Sequence, residues 1–97
     1  MPTFITLLNY TQQGMKNIKD GPARLDKAKE TYKAMGAEIK GFYLTMGRHD
    51  AVVVIEAPDD ETIAKVTLAI GSQGNISTET LRAFPENEYR QIIAALP

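Results

Sequence analysis

The pair in this chain best suited to moving a proton is His49-Asp50. Imidazole titrates near neutrality, so His49 can serve as a general base, and a neighbouring carboxylate can orient it or bind a cation. Adjacent residues of a strand point to opposite faces, which argues against a dyad unless a turn intervenes. The plainer reading makes Asp50 an acceptor for turn amides and His49 a shield over one end of the fold. The chain has no cysteine, which excludes thiolate nucleophiles, disulfides and Cys-based metal sites. A lone histidine likewise excludes a multi-histidine site within one chain. Asp50 and Glu56 would stand about 20 Å apart on a strand, too far for a glycosidase-type carboxylate pair. Asp59-Asp60-Glu61 has the composition of an acidic metal cluster, but acids just after Pro58 are what a helix start attracts. Neither a metal nor a cofactor is therefore expected. Gly71-x-x-Gly74 follows a helix instead of opening one, so it lacks the free amides that hold a phosphate.

A second set of residues suits binding. Arg24, Tyr32, Tyr43 and Arg82 can reach a cavity between helices and sheet, and the candidate ligand-binding residues are Tyr43, Arg24, Phe4 and Leu8. A lining that mixes apolar side chains with a few polar groups is typical of ligand pockets.

The elements that must position these residues follow from the hydrophobic pattern. Ala51 to Ile55 is apolar without alternation, which predicts a strand covered on both faces within His49–Ala57. Thr3 to Tyr10 predicts another, with Phe4, Leu8 and Tyr10 on one face and Ile5 and Leu7 on the other. Thr11 is placed to cap a short helical turn through Ile18. Pro22 then begins a helix whose inner stripe is Leu25, Ala28, Tyr32 and Met35, and Gly36 ends it. Ala37 to Met46 predicts a more polar, edge-like strand, and strict alternation puts Ile39, Tyr43 and Thr45 opposite Phe42. Gly47-Arg48 turns it back into the next strand as a hairpin. Asp59 to Ile70 predicts a helix with Ile63, Val66 and Ile70 inward, Asn75 to Phe84 a fourth strand, and the residues after Pro85 a last helix with Tyr89, Ile92, Ile93 and Leu96 on one side.

The order is β-α-β-β-α-β with a helical tail, which predicts a single α+β domain of ferredoxin-like type over residues 1–97 with an antiparallel four-stranded sheet. Helices can cover one face of such a sheet. The other face calls for a second copy of the chain, so a homodimer or higher oligomer is expected. No apolar run reaches the length of a membrane span and the N-terminus lacks signal-peptide order, so the cytoplasm is the expected compartment. Eight Lys/Arg against four Asp/Glu precede His49, and three against eight follow from it onward, for a net charge of −1. With no interleaving of aromatic and basic residues, nucleic acid is not an expected partner.

Three blocks carry a family resemblance: Gly47-x-His49-Asp50, then Ala51-Val-Val-Val-Ile-Glu-Ala-Pro-Asp-Asp-Glu61, then Gly74-Asn-Ile-Ser-Thr-Glu-Thr-Leu-Arg-Ala-Phe84. From Thr3 to about Phe84 the chain resembles the GYD domain family, small bacterial proteins grouped with the dimeric α/β-barrels. Where the family has tyrosine, this chain has His49. The resemblance implies a ferredoxin-like fold paired into a dimeric barrel. It leaves three functions open: a homo-oligomeric small-molecule-binding module, a cofactor-free enzyme of monooxygenase or isomerase type using His49 for proton transfer, and a purely structural or assembly protein.

Overall fold

Eight residues rich in β-branched and aromatic side chains open the chain as strand β1 (Thr3–Tyr10). Thr11 accepts the Gly14 amide and so caps the short helix α1 (Gln12–Lys16). A single 3-10 turn, Ile18–Asp20, leads into α2 (Gly21–Ala34), which has Pro22 in its first turn. Gly36, at φ +88°, takes the left-handed conformation that releases the chain from this helix. Strands β2 (Glu38–Leu44) and β3 (Ala51–Glu56) follow, then α3 (Asp60–Gly71), β4 (Ile76–Ala83) and α4 (Glu86–Ala94). The Asp59 carboxylate accepts the Thr62 amide at 2.8 Å, which caps α3 and holds that carboxyl below its usual pKa. This computed structural model describes residues 1–97.

The four strands form one antiparallel sheet in the order β2-β3-β1-β4, so β1 and β3 occupy the centre. This is the expected ferredoxin-like arrangement. One face is covered by α2 and α3. Phe4, Thr6 and Leu8 of β1 and Ala51, Val53 and Ile55 of β3 are buried there, together with Tyr32, Ile63 and Val66 of the helices. Thr6, the one buried polar residue among these, shares a 3.0 Å hydrogen bond with Thr80 across the strands, so its hydroxyl is not left unpaired.

No element of the chain covers the other face. Ile5 pairs with Val54 and Leu81, and Leu7 pairs with Val52, which in turn faces Tyr43, so these six side chains share it. Tyr43 is 60% exposed and Leu81 44%, and Ile5, Leu7, Val52 and Val54 are only half-buried. The apolar side of helix α4 is also uncovered: Tyr89, Ile92 and Ile93, and Leu96 just beyond its end, are exposed. No helix is long and apolar enough to cross a membrane.

Two expectations need correction. Strict alternation in β2 is broken by a register shift between Ile39 and Gly41. With Lys40 as the extra residue, Ile39 lies opposite Ile55 and Phe42 opposite Val53, so both point to the helix side instead of to opposite faces. The third strand also begins two residues later than expected, because the backbone at His49 and Asp50 belongs to the turn.

Candidate functional site

The bulge in β2 matters because it completes a cleft. Leu8 and Val53 form the floor on the central strands, Ile39 and Phe42 extend it, and Leu25 and Ala28 of α2 roof it. The cleft holds about 90 Å³ and runs along α2 from Gly21 to Tyr32, with Arg24, Gln73 and Asn75 among the polar groups on its wall.

Arg24 reaches its place through backbone partners. Its Nη1 donates to the Asn17 carbonyl at 2.8 Å and its Nη2 to the Gly14 carbonyl at 3.4 Å. It takes part in none of the four ion pairs of the chain, so its charge faces no carboxylate. Tyr32, at the other end of the cleft, is only 6% exposed. Its side chain lines the cleft, and its hydroxyl is neither fully buried nor hydrogen-bonded to another side chain. Burial pushes its pKa up to about 12, so at neutral pH it is a neutral phenol.

The polar end of the cleft is held by a lock between α1 and the loop after α3. Asn75 O accepts the Thr11 amide at 3.0 Å, and Gly74 O accepts the Thr11 hydroxyl at 2.6 Å. Gln13 Nε2 donates to Gln73 O at 3.2 Å and to Asn75 Oδ1 at 3.0 Å. Buried Gly14 permits this approach: a Cβ there would stand 2.0 Å from Asn75 O. In the sequence, Gly71-x-x-Gly74 reads only as a helix end, and nothing in that segment foretells the docking of its loop on α1. The one available signal is Gly14 inside a helical turn, since such a glycine often marks close backbone approach.

The four candidate ligand-binding residues do not gather in one place. Arg24 and Leu8 line the cleft. Phe4 lies along a separate groove beside α3, beneath Arg82, whose guanidinium stands 5.7 Å from the Phe4 ring and 4.4 Å from that of Phe84. Tyr43 lies on the uncovered sheet face, where its ring folds over Gly41. Tyr43 and Arg24 are therefore on opposite sides of the sheet. A strict two-residue period assigns faces correctly in β1, yet it cannot say which face the helices take.

His49 and Asp50 are also kept apart by their bonding. The Asp50 carboxylate accepts the Tyr10 amide at 2.9 Å, and the Asp50 amide donates to Leu8 O at 2.9 Å and to Asn9 Oδ1 at 3.0 Å. Asp50 thus ties the β2–β3 turn to the end of β1. The imidazole of half-buried His49 has no hydrogen-bond partner in the chain, and its carbonyl accepts the Thr45 hydroxyl at 2.7 Å.

Comparison with known proteins agrees with this geometry at the level of fold. The chain is 35% identical over 86 residues to the glutamine synthetase and cystathionine beta-lyase binding protein of Thermus thermophilus, covering 88% of this chain and 90% of that one. The feast or famine regulatory protein of Mycobacterium tuberculosis, solved with L-methionine, superposes with a TM-score of 0.66 at 14% identity. That match covers 87% of this chain, which spans 50% of the regulator's length. The 5-chloro-2-hydroxyhydroquinone dehydrochlorinase of Burkholderia phenoliruptrix superposes at 0.58 with 17% identity, over 87% of this chain and 94% of the enzyme. A regulator and an enzyme on one scaffold show that the fold does not choose between activities. The GYD domain model, however, matches residues 4–93, nearly the whole sheet-and-helix unit described above, and the chain belongs to the GYD domain family.

Proposed function

We propose that this chain is a self-associating, protein-binding module of the cytoplasm. Two copies pair through their uncovered sheet faces to form a dimeric α/β-barrel, and the pair attaches to metabolic enzymes. The observation that carries the reading is the six-residue apolar face of Ile5, Leu7, Val52, Val54, Tyr43 and Leu81, which nothing within the chain covers. A contiguous exposed apolar patch on a small domain marks an interaction surface. The pairing of a sheet with its own copy is self-complementary, as a two-fold interface requires. The attachment to enzymes is supported by the name of the Thermus relative, a protein that binds glutamine synthetase and cystathionine beta-lyase. The exposed apolar side of α4, with Tyr89, Ile92 and Ile93, remains available to such partners once the sheet faces have paired.

Light scattering after gel filtration tests the first half. The expected mass is twice the 10.7 kDa chain or a multiple of that. Leu7→Asp, which places a charge in the middle of the face, is expected to yield a folded monomer. A monomeric wild type at micromolar concentration refutes the pairing. Titration against purified glutamine synthetase and cystathionine beta-lyase from the same organism tests the second half, and no binding to either overturns it.

A second reading is that the module also takes up a small molecule, and the cleft beneath α2 favours it. For a proton-transfer role, His49 would act without Asp50, whose carboxylate is engaged by the Tyr10 amide. A binding role asks nothing further of His49.

A further inference from the structure

The cleft has two unsatisfied polar ends joined by an apolar floor. Arg24 carries five N–H donors, of which its two backbone partners use two, and it has no carboxylate beside it. A guanidinium at an apolar cleft with donors to spare is suited to holding a carboxylate. At the other end Tyr32, a residue only 6% exposed, lines the cleft, and its hydroxyl has no hydrogen-bond partner within the chain. Buried hydroxyls normally find a partner, and one left facing a cleft is placed to meet an oxygen on a ligand.

Spacing defines that ligand. Arg24 and Tyr32 are eight residues apart on α2, about 12 Å along the helix axis, and both side chains lean the same way. Two hydrogen bonds of about 2.9 Å leave roughly 6 Å for the molecule between them. The apolar lining between the two polar groups suits a run of methylenes. An α-ammonium beside the carboxylate would face the Arg24 cation, which disfavours a free amino acid.

We propose that the cleft between α2 and the sheet binds a short aliphatic carboxylate, about five or six carbons long, that carries an oxygen near its far end. Arg24 holds the carboxylate, Tyr32 hydrogen-bonds the distal oxygen, and Leu8, Ile39, Phe42 and Val53 contact the methylenes. The assignment rests on the small-molecule reading of the cleft given above.

The test is an amide NMR titration of the full-length wild-type chain with three probes: 5-oxohexanoate, hexanoate and hexan-2-one. The expected result is saturable shifts at Gly21, Leu25 and Asn75, with 5-oxohexanoate at least tenfold tighter than either of the others. Tyr32→Phe is expected to bring 5-oxohexanoate down to the level of hexanoate. Arg24→Gln is expected to bring it down to the level of hexan-2-one. If hexanoate binds as well as 5-oxohexanoate, the role of the distal oxygen is overturned. If hexan-2-one does, the carboxylate is overturned, and in either case the cleft still stands as a small-molecule site. If no probe shifts the cleft amides, the small-molecule reading itself falls. Because the three probes are compared on the wild type, the outcome is decisive even if Arg24→Gln loosens α1.

Discussion

Replacing Gly14 with alanine should destabilise the protein, although in most helices the same change stabilises. An added Cβ would lie 2.0 Å from Asn75 O and 2.9 Å from its carbonyl carbon, both backbone atoms that cannot rotate away. The loop must retreat until that contact reaches at least 3.4 Å. Retreat breaks or stretches the Thr11 amide bond to Asn75, the Thr11 hydroxyl bond to Gly74 and both bonds of Gln13. At the low end of the usual range, about 0.5 kcal/mol each for such partly exposed bonds, these four amount to about 2 kcal/mol. Steric strain adds about 1–2 kcal/mol, and the better helix propensity of alanine returns about 1. The net is a loss of about 2–3 kcal/mol, or a Tm lower by roughly 10–20 °C for a chain of this size. Gly71, on the last turn of α3 with nothing within 4 Å of an added Cβ, is the control. Gly71→Ala should raise stability by about 0.5 kcal/mol through propensity alone. The assay is thermal unfolding by circular dichroism at one fixed protein concentration, because self-association would otherwise move the midpoint. Equal or higher Tm for Gly14→Ala would refute the lock between α1 and the loop.

Other outcomes follow from the same packing. Ile55 is 0% exposed at the centre of the sheet, so Ile55→Ala should cost about 3–4 kcal/mol in urea unfolding; a loss under about 1 would mean a loose core. Asp50→Ala should cost about 1–2 kcal/mol by orphaning the Tyr10 amide. His49→Ala, which removes no hydrogen bond of the imidazole, should stay within about 0.5 kcal/mol of wild type, and a larger effect would show that the ring packs structurally. Tyr32 holds its proton more tightly when folded than its ordinary value of 10.0, with a folded pKa of about 12. Its contribution is therefore intact below pH 10 and is lost as pH climbs through 10 to 12, by up to about 2.7 kcal/mol. Tyr32→Phe should lack that alkaline loss, and an identical pH profile for both proteins would contradict the burial argument.

Much of the scaffold is legible in the sequence because its signals are local. The unbroken apolar run Ala51–Ile55 marks a central strand, Asp59 a helix start, and Pro22 with Gly36 the limits of α2. The candidate site is legible only in part. Of the four polar residues the sequence offers for a helix–sheet cavity, Arg24 and Tyr32 line the cleft, whereas Tyr43 and Arg82 do not. The bulge at Lys40 is not legible, since one extra residue in a strand leaves no mark on composition, and it reverses the side to which Phe42 points relative to Ile39. Nor can pairing within the sequence show that Tyr43 and Phe4 belong to different surfaces. That depends on which face the helices take, a choice made by the summed packing of α2 and α3 and not by any one residue.

The same bulge bears on how copies of this protein can join. β2 is an outer strand, and the free rim of an outer strand is a template on which another chain can extend the sheet. Lys40 interrupts the regular row of donors and acceptors along that rim, and its ammonium sits 3.6 Å from the Glu38 carboxylate, placing paired charge on it. The opposite rim, β4, carries Glu79 and Arg82 among threonines and a serine. Bulges and charges of this kind discourage strand-by-strand growth. In the pairing proposed above, association is thereby directed to the broad apolar face, where pairing would use up the surface it needs and stop, so that the assembly would close instead of growing into a fibre.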